Sequence, residues 1–248
     1  MRNSRFLMHS FRCFSTTTVC CKQIPNNLKG KSVSSQQWLT RQLNDEYVKK
    51  ARYANYRARS AFKLIEIDDM YKILHPGMIV VDLGAAPGAF TQVIVERLRL
   101  KDDQSKNNGM AIAVDLNAIH PIEGAHIFPG TDFTKPLNQG KILELLGDQK
   151  VDFVCSDMAP NATGDKTFDH DVIITLCYTA LRFAVFSLKP KSGCFLTKAW
   201  SGARINDLTN QMEKFFEVVK VVKPPASRSD SSELFVLGLR FKGVLINQ

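Results

Sequence analysis

The sequence predicts an α/β fold: a mostly parallel sheet with helices on both faces and an antiparallel edge. Three observations lead there. From residue 79 onward β-prone runs alternate with segments of helical periodicity, several runs end in an acidic residue, and a tight glycine loop joins the first run to the first helix. Ile79, Val80 and Val81 lead into Asp82 and the turn Gly84-Ala85-Ala86-Pro87-Gly88. Phe90, Val93, Ile94 and Leu98 then recur at helical spacing. Residues 110–115 read as the second strand, 126–129 as a weaker third, and 141–146 as a short helix. Residues 151–157 form the fourth strand, and 169–188 a long helix closed by Lys189-Pro190 and Gly193. Residues 194–198 and 205–218 follow as strand and helix. Residues 218–222 and 233–241 bracket the polar loop PPASRSDSS and read as an antiparallel edge hairpin. The expected order is strand-helix alternation throughout with a terminal strand, seven strands in all.

The glycine loop points to a nucleotide-like ligand of a particular kind. Strand, tight turn and helix N-terminus form the seat where an α/β sheet holds such a ligand, and Gly84 and Gly88 keep Cβ atoms out of its way. A dinucleotide site would need G-x-G-x-x-G, and a phosphate loop a Gly-Lys-Ser/Thr ending. Neither is present, and no lysine or arginine lies between Lys72 and Arg97. Asp82 at the strand end suits a ligand with a cationic part, such as the ammonium and sulfonium of S-adenosylmethionine. A strand-turn-helix that binds nothing is the competing reading of the loop taken alone.

The formal net charge of +9 is unevenly placed. Residues 1–44 carry seven basic residues and no acid. Residues 47–63 carry six more (Lys49, Lys50, Arg52, Arg57, Arg59, Lys63), again without an acid. Residues 64–248 hold 20 basic and 22 acidic residues, which excludes a uniformly basic binder. The first 21 residues are rich in Arg, Ser and Thr, with Phe6, Leu7, Phe11 and Phe14 among the basic residues. They read as a mitochondrial transit peptide, with Arg12 three residues before a cleavage site; a disordered basic tail is the alternative. Residues 26–37 are a linker, so the leader and linker occupy 1–37 and the domain 38–248. Residues 38–72 read as helical. In KKARYANYRARSAFKL, Tyr53 and Tyr56 alternate with basic residues, supplying charge for phosphates and flat rings for bases; a solvated helix face is the bland alternative. Six cysteines show no metal-binding spacing, so no metal is expected and buried thiols in a reduced compartment are. The apolar stretch 172–188, broken by Arg182, is too short to span a bilayer and reads as a core helix.

Ligands of such sheets lie beyond the carboxyl ends of the strands. That rule gathers Asp82, Asp115, Asp157 and Lys198 on one rim, joined by Asp132 just past the third strand. A carboxylate ending the second strand is placed to accept hydrogen bonds from ribose hydroxyls. For Asp132, a capping role and contact with adenine are equally open.

These residues resemble a known family, the FtsJ/RrmJ ribosomal RNA 2'-O-ribose methyltransferases, and within it the mitochondrial large-subunit uridine methyltransferases. The likeness spans residues 38–242 and rests on RSAFKL around Lys63, VDLGAAPGAF, SDMAPNATG around Asp157, FLTKAW around Lys198 and KPPASRSDSSELF around Glu233. It implies a Rossmann-like class I methyltransferase domain using S-adenosyl-L-methionine. It also implies a catalytic tetrad of Lys63, Asp157, Lys198 and Glu233, with Lys198 as proton acceptor. Cofactor contacts would fall on Asp82, Gly84, Pro87, Gly88, Ala89, Phe90, Asp115, Asp132 and Asp157. Phe90 stands where the family usually has tryptophan, and Ala89 where it usually has a second glycine. The implied substrate is a uridine ribose in the peptidyl-transferase region of mitochondrial large-subunit rRNA, modified within an assembling large subunit in the mitochondrial matrix, by a monomer.

The chemistry agrees. A ribose 2'-hydroxyl must lose its proton as it attacks a methyl group, and lysine is a base only as the neutral amine. A second ammonium nearby favours the neutral amine and a carboxylate opposes it, so Lys63 and Glu233 pull Lys198 in opposite directions. The same tetrad serves tRNA and cap ribose methyltransferases, and an rRNA-binding assembly factor with a structural cofactor site is the alternative outside enzymes.

Overall fold

The computed structural model describes residue 25 and residues 28–102, 108–161 and 163–244. The leader-like sequence up to Ile24, with Arg12, Cys13, Cys20 and Cys21, lies outside the described residues. The chain divides into two units, residues 1–45 and 46–248. The first contains α1 (Val33–Asn44), which starts at Ser32, whose side chain accepts from the Ser35 N–H at 3.3 Å and satisfies an otherwise orphaned donor.

The second unit opens with α2 (Glu46–Tyr53) and α3 (Ala61–Tyr71). The single helical reading of 38–72 is thus corrected to separate helices. Asn55 takes φ 58, left-handed geometry that asparagine tolerates, and the Tyr56 N–H turns back to the Ala51 carbonyl at 2.8 Å, which ends α2. Buried Asp68 closes α3 by accepting the N–H groups of Ile73 and Leu74 at 3.0 and 2.8 Å.

Seven strands follow: β1 (Ile79–Leu83), β2 (Met110–Val114), β3 (Ala125–Phe128), β4 (Phe153–Ser156), β5 (Cys194–Trp200), β6 (Phe216–Val222) and β7 (Glu233–Phe241). Their order is β3-β2-β1-β4-β5-β7-β6. All neighbours pair in parallel except β7, which runs antiparallel to both β5 and β6. The expected hairpin is therefore at the edge, with its reversed strand inserted between β5 and β6. Helices α4 (Ala89–Leu98), α5 (Pro136–Leu146), α6 (Lys166–Ser187) and α7 (Ile205–Phe215) complete the unit.

The strand pleat sorts the core into two layers. Ile79, Val81 and Leu83 of β1 pack with Ile142 of α5, Ile173 and Ile174 of α6 and Leu208 and Met212 of α7. Val80, Leu196, Phe235 and Leu237 face the other way, onto Leu64 and Ile67 of α3 and Val93 and Ile94 of α4. Both faces of the central strands are covered, which is why they read as unbroken apolar runs.

Two further expectations are corrected, and the core-helix expectation is met by a helix longer than expected. Residues 115–124 form no helix between β2 and β3; the connection is irregular, anchored by buried Ile119 and Ile122. Helix α7 stops at Phe215, because the Phe216 ring is drawn into the sheet core, against Phe195 and Phe241 and over Gly238, where a Cβ would lie 2.6 Å from that ring. Finally, α6 has 22 residues and is long and apolar enough to cross a membrane. It nonetheless packs Ile173, Ile174, Cys177, Ala180 and Ala184 fully against the sheet, the burial of a core helix.

Candidate active site

The loop after β1 is fixed by its neighbours before any ligand is considered. The N–H groups of Gly84 and Ala85 both donate to the Val114 carbonyl at the end of β2, at 2.9 and 3.1 Å. The Ala86 N–H donates to Asp115 Oδ2 at 2.9 Å. Gly84 and Gly88 have φ +76 and +109, and the space beside them is protein: a Cβ on Gly84 would lie 2.7 Å from the Met158 nitrogen, and one on Gly88 2.8 Å from Arg57 Nη1. The glycines thus admit neighbouring segments of this chain, a reason the sequence reading did not contain. Ala89 and Phe90 begin α4 and are buried; the Phe90 ring stacks on Phe235 with centroids 6.4 Å apart, so it faces the core rather than the rim.

Asp82 does not reach the rim either. It lies one residue inside β1 and is 1% exposed. The Thr91 hydroxyl donates to Oδ2 at 2.6 Å and the Cys155 thiol to Oδ1 at 3.7 Å. Burial, reinforced by the Asp157 and Asp115 charges and opposed by the Thr91 and Cys155 hydrogen bonds, pushes its carboxyl up to about 7. The Cys155 thiol is raised as well, by its own burial and then by Asp82. Asp82 is a buried brace between β1 and α4; a carboxylate preceding a glycine turn looks the same in sequence whether it points to the loop or beneath it.

The rim itself carries Asp115, Asp157 and Lys198. Asp115 follows β2 and accepts the Asn117 N–H on Oδ1 at 2.7 Å while holding Ala86 on Oδ2. Asp157 follows β4, its N–H donating to the Leu83 carbonyl at 3.0 Å. Asp132 spends its carboxylate on a turn ahead of α5: Oδ1 accepts the Thr134 hydroxyl at 2.6 Å and the Thr134 N–H at 3.0 Å. Those bonds, the hydroxyl first, hold it below the usual carboxylate range. Of its two expected roles, the local turn is the one its geometry displays.

The four tetrad residues meet as two pairs. Lys63 of α3 donates to Glu233 at the start of β7 over 2.6 Å, both side chains nearly buried. Lys198 of β5, 8% exposed, lies 2.9 Å from Asp157 Oδ1 and donates to the Asp157 carbonyl. Topology unites the pairs. Lys198 is the cross-strand partner of Phe235, so their side chains share a face, and Glu233, two residues along β7, shares it too. Lys63 Nζ sits 5.9 Å from the centre of that same Phe235 ring. Ser156 pairs with Thr197, which brings Asp157 beside Lys198.

The surrounding supports escaped the sequence reading. Buried Ser227 donates its hydroxyl to Glu233 Oε1 at 2.8 Å. Glu66 accepts the Tyr47 hydroxyl at 2.7 Å and the Ala226 N–H at 2.6 Å, and Arg59 donates to the Ala226 carbonyl. Helices α2 and α3 therefore clamp the loop that leads into Glu233. Asp169 accepts from Thr163 and Gly164 after β4, and His170 Nε2 accepts the Arg204 N–H at 3.2 Å after β5, tying the two rim loops to α6. Only the proximity of Ser227 to Glu233 in PPASRSDSSELF could have signalled any of these.

The rim fits a cationic, ribose-bearing ligand. Asp157 Oδ1 is buried and close to Lys198, yet the ammonium is aimed at the Asp157 carbonyl, so Oδ1 accepts no well-directed hydrogen bond. This carboxylate oxygen is ion-paired to Lys198 without a directed hydrogen bond and so keeps lone-pair capacity for a further donor. A seven-stranded sheet of this order, with the glycine turn after β1 and acids beyond β2 and β4, defines an S-adenosylmethionine-dependent methyltransferase. The chain belongs to the FtsJ-like methyltransferase family, whose pattern matches residues 56–241. It is 51% identical to the mitochondrial rRNA methyltransferase 2 of Drosophila melanogaster over 223 residues, covering 90% of this chain and 89% of that one. It is 44% identical to the ribosomal RNA large subunit methyltransferase E of Ruegeria pomeroyi over 216 residues, or 87% and 91% of the two chains. Among solved structures, a Plasmodium falciparum chain assigned to the ribosomal RNA methyltransferases superposes with a TM-score of 0.67 at 28% identity, covering 76% of this chain and all of that one.

Proposed function

We propose that this protein methylates the 2'-hydroxyl of a uridine ribose in the peptidyl-transferase region of mitochondrial large-subunit rRNA, during large-subunit assembly in the matrix. The observation that carries the chemistry is the convergence of Lys63–Glu233 and Lys198–Asp157 on one sheet face around Phe235. The similarity to a mitochondrial rRNA methyltransferase and to bacterial large-subunit rRNA methyltransferases supports the rRNA substrate and the mitochondrion, and the acid-free, arginine-bearing sequence of residues 1–44 supports import.

S-adenosylmethionine, when bound, supplies an electrophilic methyl group whose bond to sulfur breaks as its bond to the ribose 2'-oxygen forms. Asp157 and Asp115, at the rim, would accept from its ammonium and ribose hydroxyls, and Gly84, Pro87 and Gly88 would shape the seat between them. Lys198 Nζ, acting from its neutral form, takes the 2'-hydroxyl proton. Asp157 aims that nitrogen through its carbonyl and carboxylate. Lys63, fixed by Glu233 and backed by the Phe235 ring, holds positive charge where the ribose oxygen becomes negative. Exposed Lys49, Lys50 and Arg52 on α2, with the fully exposed Tyr53, form the face that meets RNA.

The test is to map 2'-O-methyl marks across mitochondrial rRNA in cells with and without the protein, rescued by wild type or by Lys198→Ala. Loss of one uridine mark in the peptidyl-transferase region, restored only by wild type, is expected. Loss of a tRNA mark instead would redirect the substrate assignment. Restoration of the rRNA mark by Lys198→Ala would remove Lys198 as the base.

A further inference from the structure

By sequence Arg57 is one of six basic residues in an acid-free run, and a phosphate contact is the natural expectation. Its side chain does something else. Nη1 donates to the Pro87 carbonyl at 3.0 Å and to the His120 carbonyl at 2.7 Å, while Nη2 donates to the Pro121 carbonyl at 2.8 Å. Pro87 lies in the glycine loop; His120 and Pro121 lie in the irregular β2–β3 connection that begins with Asp115. One guanidinium thus bridges the two segments that form the walls of the cofactor seat.

The backbone of Arg57 is held just as firmly. Its N–H donates to Gln92 Oε1 at 2.8 Å, and Gln92 Nε2 donates back to the Asn55 carbonyl at 3.0 Å. Gln92 belongs to α4, the helix that the glycine loop opens, so Arg57 is fastened to loop and helix together. The absence of a Cβ on Gly88 makes room: a methyl there would meet Arg57 Nη1 at 2.8 Å and Ile122 Cδ1 at 2.7 Å. Asp115 grips the loop at the Ala86 N–H, and Arg57 grips it one residue later at the Pro87 carbonyl.

We propose that Arg57 is a positioning residue for the cofactor: its guanidinium fork locks the glycine loop against the β2–β3 connection and holds the seat open in the shape S-adenosylmethionine needs. The inference rests on the reading of the glycine loop as the cofactor seat. Three carbonyls from two segments require a planar fork; a lysine ammonium is a single point charge on a flexible stem and cannot span them.

The experiment measures S-adenosylmethionine affinity by calorimetry, without RNA, for wild type, Arg57→Lys, Arg57→Ala and Asp115→Ala, together with thermal unfolding and the salt dependence of RNA binding. Both Arg57 variants are expected to weaken cofactor binding about tenfold, with loss of two or three carbonyl hydrogen bonds. The KM for cofactor should rise more than kcat falls, and the RNA salt slope should stay at the wild-type value. Arg57→Lys matching wild type in cofactor affinity would overturn the proposal, because charge alone would then suffice. A lower unfolding temperature with unchanged cofactor affinity would overturn it too, leaving only a structural role. Arg57→Lys supplies the reading if Arg57→Ala does not fold. Weakened binding in Asp115→Ala with unchanged Arg57 variants sinks the Arg57 role alone; unchanged affinity in all three sinks the cofactor-seat reading with it.

Discussion

Asp82 gives the protein a pH-dependent stability that a single substitution should remove. Its carboxyl titrates at about 7 in the folded chain against 3.8 for an unperturbed group, a rise of about three units caused chiefly by burial. Between those values the folded state keeps a proton that the unfolded state has released. Stability is then full below pH 4 and falls as pH rises towards 7, by up to about 1.4 kcal/mol per unit. The total is about 4 kcal/mol, a large share of the ordinary stability of a domain. Asp82→Asn keeps an acceptor for the Thr91 hydroxyl and carries no titrating proton. The assay is equilibrium urea denaturation of both proteins at intervals from pH 4 to 8. The quantity of interest is the difference between the two proteins, in which titrations common to both cancel. The neighbouring groups, Thr91 on α4, Cys155 on β4, and the Asp115 and Asp157 carboxylates, are present in both proteins. The difference should move by about 4 kcal/mol in favour of the variant from pH 4 to pH 8. A difference constant to within about 1 kcal/mol would refute the burial argument.

Other expectations follow from the site. Lys198→Ala should abolish methyl transfer while cofactor affinity stays near wild type, and Lys198→Arg should fail equally, because arginine does not release its proton at neutral pH; near-normal turnover in either would remove the general-base role. Ser227→Ala frees Glu233 of its hydroxyl donor and should lower kcat about tenfold, the worth of one hydrogen bond to a charged group, without changing cofactor affinity measured by calorimetry. Asp115→Ala strands the Ala86 N–H and should weaken cofactor binding by about 1–3 kcal/mol. Replacing Lys49, Lys50 and Arg52 with glutamine should flatten the salt dependence of RNA binding by roughly 0.7 in log–log slope per lost phosphate contact; an unchanged slope would move the RNA grip off α2.

The strands and the glycine turn were legible because each is written in adjacent residues; the tetrad residues lie far apart in the chain, and only the short motifs that carry the family resemblance pointed to them. Apolar runs such as Ile79–Leu83 and the helical spacing of Val93, Ile94 and Leu98 depend on periods of two and 3.6, which a linear chain displays directly. Sheet order was only partly legible. Strand alternation implied a parallel sheet, yet the missing helix between β2 and β3 and the insertion of β7 between β5 and β6 depend on which strand finds which edge.

The six basic residues between Tyr47 and Lys63 mark the boundary between what the sequence determined and what the tertiary structure decided. Their charge, the absence of any acid among them and the chemistry of each side chain are properties of the sequence alone. Lys49, Lys50 and Arg52 stay exposed on α2, while Arg57 turns to carbonyls 30 to 64 residues away, Arg59 to one 167 residues away and Lys63 to Glu233, 170 away. No local period encodes those partners. An arginine on a solvated face and one bridging two loops obey the same propensities, and only the packing of α3 and α4 on the sheet brings the second set of acceptors within reach.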